Sequence, residues 1–158
     1  MIIQNKTNAL RILEAAEIKH IALEYDVSDG KIDGLSVARK VNKEPERVFK
    51  TLVTTGKATG VNVFVIPVEF ELNLKKAALA VNDKYIEMIK SRELEPLTGY
   101  IHGGCSPIGM KKQYPTYIEE TAMLYQSIVV SAGRIGVQVE IGPEDLAKVT
   151  VAEFRDLV

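Results

Sequence analysis

FKTLVTTGKATGVNVFVIPV, Phe49–Val68, holds two runs rich in β-branched residues on either side of the turn-forming stretch GKATG, Gly56–Gly60. That pattern predicts a β-hairpin. A hairpin pairs antiparallel, so the sheet is not the all-parallel one of a doubly wound fold. Strand alternation puts Phe49, Thr51 and Val53 on one face and Lys50, Leu52 and Thr54 on the other. Lys50 therefore shares a partly apolar face with Leu52. It is read either as a snorkelling lysine at a strand start or as a cation held for a ligand carbonyl, carboxyl or phosphate.

Upstream, KTNALRILEAAEI spaces Ala9, Ile12, Leu13 and Ala16 as one face of a helix, with Thr7 or Asn8 as cap. HIALEYDV reads as a strand, SDGKIDG as a turn, and LSVARKVNKEPERV as two short helices broken near Pro45. Downstream, Asn73 caps the helix NLKKAALAV, and Tyr85–Met88 forms a short strand. Ser91 caps SRELEPL, which Pro96 and Gly99 end. TYIEE is a strand, SIVVSAG pairs with GVQVEI, and Pro143 opens the helix PEDLAKV. Short strands alternating irregularly with helices predict an α/β fold of the α+β type. A twisted mixed sheet or barrel-like core is surrounded by helices, in one domain spanning residues 1–158.

Lysine plus arginine number 20 against 21 acidic residues, a net charge of −1, so bulk charge gives no argument for a nucleic-acid partner. Only local patches can supply one. Lys75–Lys76 and Lys111–Lys112 are the candidate phosphate contacts, against the alternative of a solvated surface. A single cysteine forms no internal disulfide and suits a reducing compartment. The polar N-terminal stretch is no signal peptide, and no apolar run is long enough to span a bilayer. A cytoplasmic protein with no membrane partner is expected. His20 and His102 stand far apart with no ligand motif around them, so no metal or other cofactor is expected.

GYIHGGCSPIGMKK, Gly99–Lys112, suits neither helix nor strand. Adjacent Gly103 and Gly104 can turn successive N–H groups toward one point, as an anion nest or oxyanion hole. Ser106 adds a hydroxyl and Pro107 stiffens the exit; the alternative is a structural turn. Cys105 and His102 are the only local nucleophile–base pair, and a small side chain in a tight loop is the better reading of the cysteine. Tyr25 ends an early strand, either lining a pocket or packing in the core.

VFKTLV, NLKKAALAV and GYIHGGCSPIGMKKQYPTYIEE, with the weaker SAGRIGVQVEIGPEDLAKVT, together resemble the YbaK/EbsC family. These are small aminoacyl-tRNA deacylases related to the editing domain of bacterial prolyl-tRNA synthetases. The resemblance implies hydrolysis of the ester between a wrong amino acid and tRNA. For the branch acting alone, the substrate is cysteine mischarged on proline tRNA. The resemblance makes Lys50, Gly103 and Ser106 catalytic. It puts Tyr25, Thr51, Gly104 and Gln138 against the substrate. The implied mechanism uses the substrate's own thiol and needs no cofactor. The implied partners are aminoacylated tRNA and prolyl-tRNA synthetase. Relatives often carry an aspartate where this chain has Gln138, which bears on selectivity. Two other functions are kept beside this one: an Ala-tRNA(Pro) deacylase, and a non-catalytic module binding RNA or a synthetase.

Overall fold

The computed structural model describes residues 5–158. In chain order the elements are α1 (Asn8–Ala15), β1 (His20–Glu24), α2 (Gly34–Lys40), a 3-10 turn at Pro45–Arg47, β2 (Phe49–Gly56) and β3 (Gly60–Pro67). Then come α3 (Leu74–Val81), β4 (Ile86–Met88), α4 (Ser91–Thr98), β5 (Thr116–Glu119) and a 3-10 turn at Glu120–Leu124. β6 (Ile128–Arg134), β7 (Val137–Ile141), α5 (Pro143–Thr150) and β8 (Glu153–Arg155) complete the chain.

Local chemistry sets most of these ends. Thr7 Oγ1 accepts the Leu10 N–H at 3.2 Å and starts α1. Asn73 Oδ1 accepts the N–H groups of Lys75 and Lys76, both at 3.1 Å, and starts α3. Helix α2 begins at an unforeseen cap, Asp33, in the segment read as a turn. Two details of α4 correct the sequence reading. Ser91 is its first residue, not its cap; the Glu93 carboxylate instead accepts the Lys90 N–H at 2.9 Å. Pro96 lies inside the helix, where it removes one N–H from a two-turn element, and Gly99 at φ +85° ends it. The terminal strand β8 was not foreseen, because three residues give too little alternation to read.

The strands form two sheets, a five-stranded one in the order β4-β2-β3-β5-β8 and a three-stranded one in the order β1-β7-β6. The β2–β3 hairpin pairs antiparallel, with Lys50 opposite Ile66 and Thr51 opposite Val65. β3 with β5, and β5 with β8, pair parallel. Just before β2, Val48 makes a parallel bridge to Val129 of β6, which stitches the sheets at one corner. The expected mixed pairing is thus present, divided between two joined sheets.

One core cluster takes Phe49, Val65 and Ile118 from the five-stranded sheet and Val130, Val139 and Ile141 from the other, closed by Leu10, Leu13 and Leu146. On the opposite face Phe64 and Ile66 pack against Ala77, Ala78 and Leu157. The alternation read from the sequence therefore has a physical counterpart: both faces of the hairpin are buried against different partners. Val48 and Val129 meet Ala38 of α2 in a third cluster, which seats α2 over the seam between the sheets.

Phe64 is fully buried and stacks on Tyr117 with ring centroids 5.6 Å apart. Removing a buried aromatic leaves a cavity that its neighbours fill only in part. Phe64→Ala is expected to lower unfolding stability by about 3–5 kcal/mol in a denaturant titration.

Candidate active site

Where the seam, the start of β2 and the glycine loop meet, a cavity of about 310 Å3 opens. Its walls include Tyr25, Lys50, Thr51, Gly103, Ser131 and Gln138. A larger depression of about 470 Å3 lies among β5, α5 and β8, lined by Tyr117, Glu144, Lys148 and Glu153 among others. That depression contains none of the residues singled out in the sequence. The smaller cavity is the functional candidate, because it gathers unpaired polar groups from distant parts of the chain.

Two of those groups are hydroxyls. Tyr25 Oη and Thr51 Oγ1 are both buried and neither has a hydrogen-bond partner among the described residues. A buried polar group left unpaired costs about 1–3 kcal/mol, so such groups are rare unless something else satisfies them. Tyr25 is held firmly. Its N–H donates to the Gly136 carbonyl at 3.0 Å, and Lys40 Nζ lies 5.9 Å from its ring centroid. The same ammonium donates to the Asp29 carboxylate at 2.7 Å and the Lys31 carbonyl at 2.9 Å, fixing the loop that follows the tyrosine.

Lys50 reaches the cavity from β2 with its side chain 30% exposed. Its nearest anion is the Glu71 carboxylate at 3.9 Å, on a side chain 96% exposed. An ion pair that long and that wet is weak, so the ammonium remains able to bind a ligand oxygen.

The glycine loop presents a more selective picture than its composition suggested. Gly103 sits at φ +87°, a conformation that strains other residues, and a Cβ there would lie 2.8 Å from Ile32 Cδ1, so glycine is favoured. Its N–H donates to nothing among the described residues, whereas the Gly104 N–H is engaged by the Ile101 carbonyl at 3.0 Å. The expected pair of free donors is therefore reduced to one. Gly104 and Ser106 do not line the cavity. Ser106 is fully buried and its Oγ accepts the Ile108 N–H at 3.2 Å, which shapes the loop.

Cys105 and His102 both line the cavity. Burial pushes the Cys105 thiol up to about 12, against a partial offset from hydrogen bonding to Thr98. The thiol is then protonated at neutral pH, the wrong state for a nucleophile.

Gln138 is buried in β7 directly opposite Ser131 of β6. Glu140, two residues on, is held elsewhere. It accepts from Lys43 at 3.2 Å, Arg47 at 3.3 Å and Ser127 at 2.6 Å, and these partners keep its carboxyl below the usual range against the opposing effect of burial. Ser131 and Asp33 are cavity residues that the sequence reading missed. For Ser131 a signal existed: Ser131 and Gln138 are polar interruptions of two apolar strands, and they prove to be cross-strand partners. Of the lysine doublets, Lys76 is engaged with Asp156 at 3.0 Å and Lys111 Nζ donates to the Pro96 carbonyl at 3.4 Å, while Lys75, Lys111 and Lys112 are all exposed residues. Among the described residues no cluster of His, Cys, Asp and Glu could hold a metal ion, and no helix is long and apolar enough to cross a membrane.

The sequence profile of the aminoacyl-tRNA editing domain matches residues 35–149. The chain belongs to this family. Its activity is aminoacyl-tRNA deacylation. This editing domain is 47% identical over 154 residues to an Enterococcus faecalis (strain ATCC 700802 / V583) protein named "Putative Cys-tRNA(Pro)/Cys-tRNA(Cys) deacylase EbsC", covering 98% of this chain and 94% of that one. It superposes with TM-score 0.80 and 25% identity on a solved structure described as "a putative trans-editing enzyme for prolyl tRNA synthetase", covering 96% of this chain and 97% of the other. A second solved structure, the hypothetical protein APE2540, shares the fold at TM-score 0.86 and 20% identity, covering 96% of this chain and 99% of that one.

The state of Cys105 in the editing domain is directly measurable. At pH 8 a thiol at about 12 is ionised far less than a free one near 8.5. Alkylation of the native protein by iodoacetamide is expected to run about three orders of magnitude slower than that of the denatured chain. Equal rates would mean an accessible thiolate and would reinstate Cys105 as a nucleophile.

Proposed function

We propose that the cavity receives the aminoacyl end of cysteine mischarged on proline tRNA and releases the amino acid. The observation that carries this reading is the pair of buried, unpartnered hydroxyls, Tyr25 Oη and Thr51 Oγ1, in the same cavity as the Lys50 ammonium. An aminoacyl ester offers a carbonyl oxygen, an ester oxygen and an amine within a few ångströms, enough to satisfy all three. The names of the two relatives support proline tRNA and cysteine. The need for a second site is physical: a synthetase pocket separates side chains differing by one methylene by only about 1–3 kcal/mol.

In this reading the Gly103 N–H and the Lys50 ammonium face the carbonyl oxygen, where negative charge develops. The substrate thiol attacks its own carbonyl carbon. The new C–S bond closes a thiolactone, the C–O bond to the terminal ribose breaks, and the thiol proton goes to the departing ribose oxygen. Water then opens the thiolactone to free cysteine. The protein contributes orientation and electrostatics, which suits a site whose own thiol is protonated. Ser106 serves by shaping the loop that carries Gly103. The exposed Lys75, Lys111 and Lys112 are left as phosphate contacts for the tRNA, and tethering to prolyl-tRNA synthetase would raise the effective concentration on a near-neutral protein.

The test is amino-acid release from proline tRNA charged with Cys, Ser, Ala or Pro, under single turnover. Release is expected from the cysteine form, with collapse on the serine form despite its difference of one atom. Lys50→Ala is expected to slow release on the order of 10²–10³-fold with an unchanged circular dichroism spectrum. Faster release of alanine than of cysteine would reassign the substrate. Release from none of the four would leave a binding module.

A further inference from the structure

Among the described residues lining the cavity only two carry a formal charge, Lys50 and Asp33. Asp33 has no place in the chemistry above. Its position is nevertheless well determined. On one side Ile32 reaches the glycine loop, its Cδ1 lying 2.8 Å from where a Gly103 Cβ would stand. On the other side Gly34 lies directly on Val68, with 2.5 Å between a built Cβ and Val68 Cβ. Asp33 is thus held between the loop that carries the Gly103 N–H and the end of β3.

Its own carboxylate is immobilised as the cap of α2. Oδ2 accepts the Ser36 N–H at 3.1 Å and Oδ1 accepts the Ser36 hydroxyl at 2.7 Å. Arg39, the nearby cation, donates to Ser36 Oγ at 3.2 Å, and Asp33 forms no ion pair among the described residues. Each carboxylate oxygen keeps a lone pair for a further donor. The Ser36 hydrogen bonds lower the carboxyl from its ordinary value, so the group is an anion throughout the physiological range.

An aminoacyl ester carries a free α-amine, less basic than a peptide N-terminus because of the adjacent ester, whose protonated form gains weight as the pH falls below neutral. In the same cavity Gln138 offers it a carbonyl oxygen but no charge, and Glu140 is engaged by Lys43 and Arg47. We infer that Asp33 is the residue that recognises the substrate α-ammonium, opposite in charge and role to Lys50. The inference rests on the aminoacyl-ester reading of the cavity. It gives the site two poles: an anion for the amine, and a cation with a backbone N–H for the carbonyl. The profile that identifies the family begins at residue 35, two positions past Asp33, so this anchor lies outside the matched stretch.

Asp33→Asn isolates the charge, because asparagine caps helices as well as aspartate does. The variant and the wild type are compared on Cys-tRNA(Pro) and on N-acetyl-Cys-tRNA(Pro), which keeps the thiol and ester but has no ammonium. At about pH 5.5 the ammonium form of the amine dominates. The inference expects Asp33→Asn to lose about tenfold or more in kcat/KM on the free-amine substrate, the loss of one charge-assisted hydrogen bond, with under a twofold change on the acetylated one. An equal loss on both substrates would make Asp33 a helix cap and nothing more. No loss on either would remove it from the site. If the wild type cleaved neither substrate, the aminoacyl-ester reading itself would fall, and the inference with it.

Discussion

Tyr100 Oη donates to the Ile108 carbonyl across 2.5 Å, tying one end of the glycine loop to the other. The Tyr100 ring lies so close to Gly133 that a Cβ there would stand 2.9 Å from Tyr100 Cε1, and Gly133 has φ +99°. That glycine sits where β6 slips register against β7, between the pairs Ser131–Gln138 and Arg134–Val137. Burial pushes the Tyr100 phenol up to about 12, with the nearby Cys105 adding to the rise, so the hydroxyl remains a donor under all physiological conditions. One side chain therefore couples the loop to the bulge of the three-stranded sheet. Bulges re-aim the residues beside them, and here the residue beside it is Ser131, which faces the cavity with Gln138. The wall with Gly103 and the wall with Ser131 and Gln138 are held at one spacing by the same contact.

The opposite wall is set by the hairpin. Phe49 and Val65 bury one face of β2–β3 in the shared core, and Phe64 and Ile66 bury the other. Register fixes Lys50 and Thr51 as neighbours on opposite faces at the end of that pairing. Their polar atoms reach one cavity because β2 begins at the corner where Val48 bridges to Val129 and the sheets part. A flat continuous sheet would separate the two side chains. Two open sheets joined at a corner leave a cleft between them, and the cleft keeps two hydroxyls out of water and unpaired.

The hairpin, the helix caps at Thr7 and Asn73 and the β6–β7 pair were legible because each rests on short-range chemistry: alternation, turn residues or a side chain reaching its own backbone. The family was legible in the order of K-T-L and the glycine loop, and the matched profile agrees. What the sequence could not show is how tertiary contacts divide similar residues. Gly103 and Gly104 look alike in composition, yet one N–H is free and the other is bound to Ile101. Ser106 looked like a site hydroxyl and is engaged within its own loop, while Ser131 looked like part of a strand and lines the cavity. Asp33 read as a turn residue because the turn and the cap share the same local pattern. The hydrogen bond from the Ser36 N–H to Asp33 Oδ2 distinguishes them.

The account stands on the claim that Tyr25, Thr51, Lys50 and Gly103 are arranged around an aminoacyl ester. A crystal structure with cysteinyl-adenosine joined through a non-hydrolysable 3′-amide tests it most directly. The account predicts the acyl carbonyl within hydrogen-bonding distance of the Gly103 N–H or Lys50 Nζ, and both hydroxyls paired with the ligand. An analogue seated elsewhere, or one inside the cavity with Tyr25 Oη and Thr51 Oγ1 still unpaired, would contradict it.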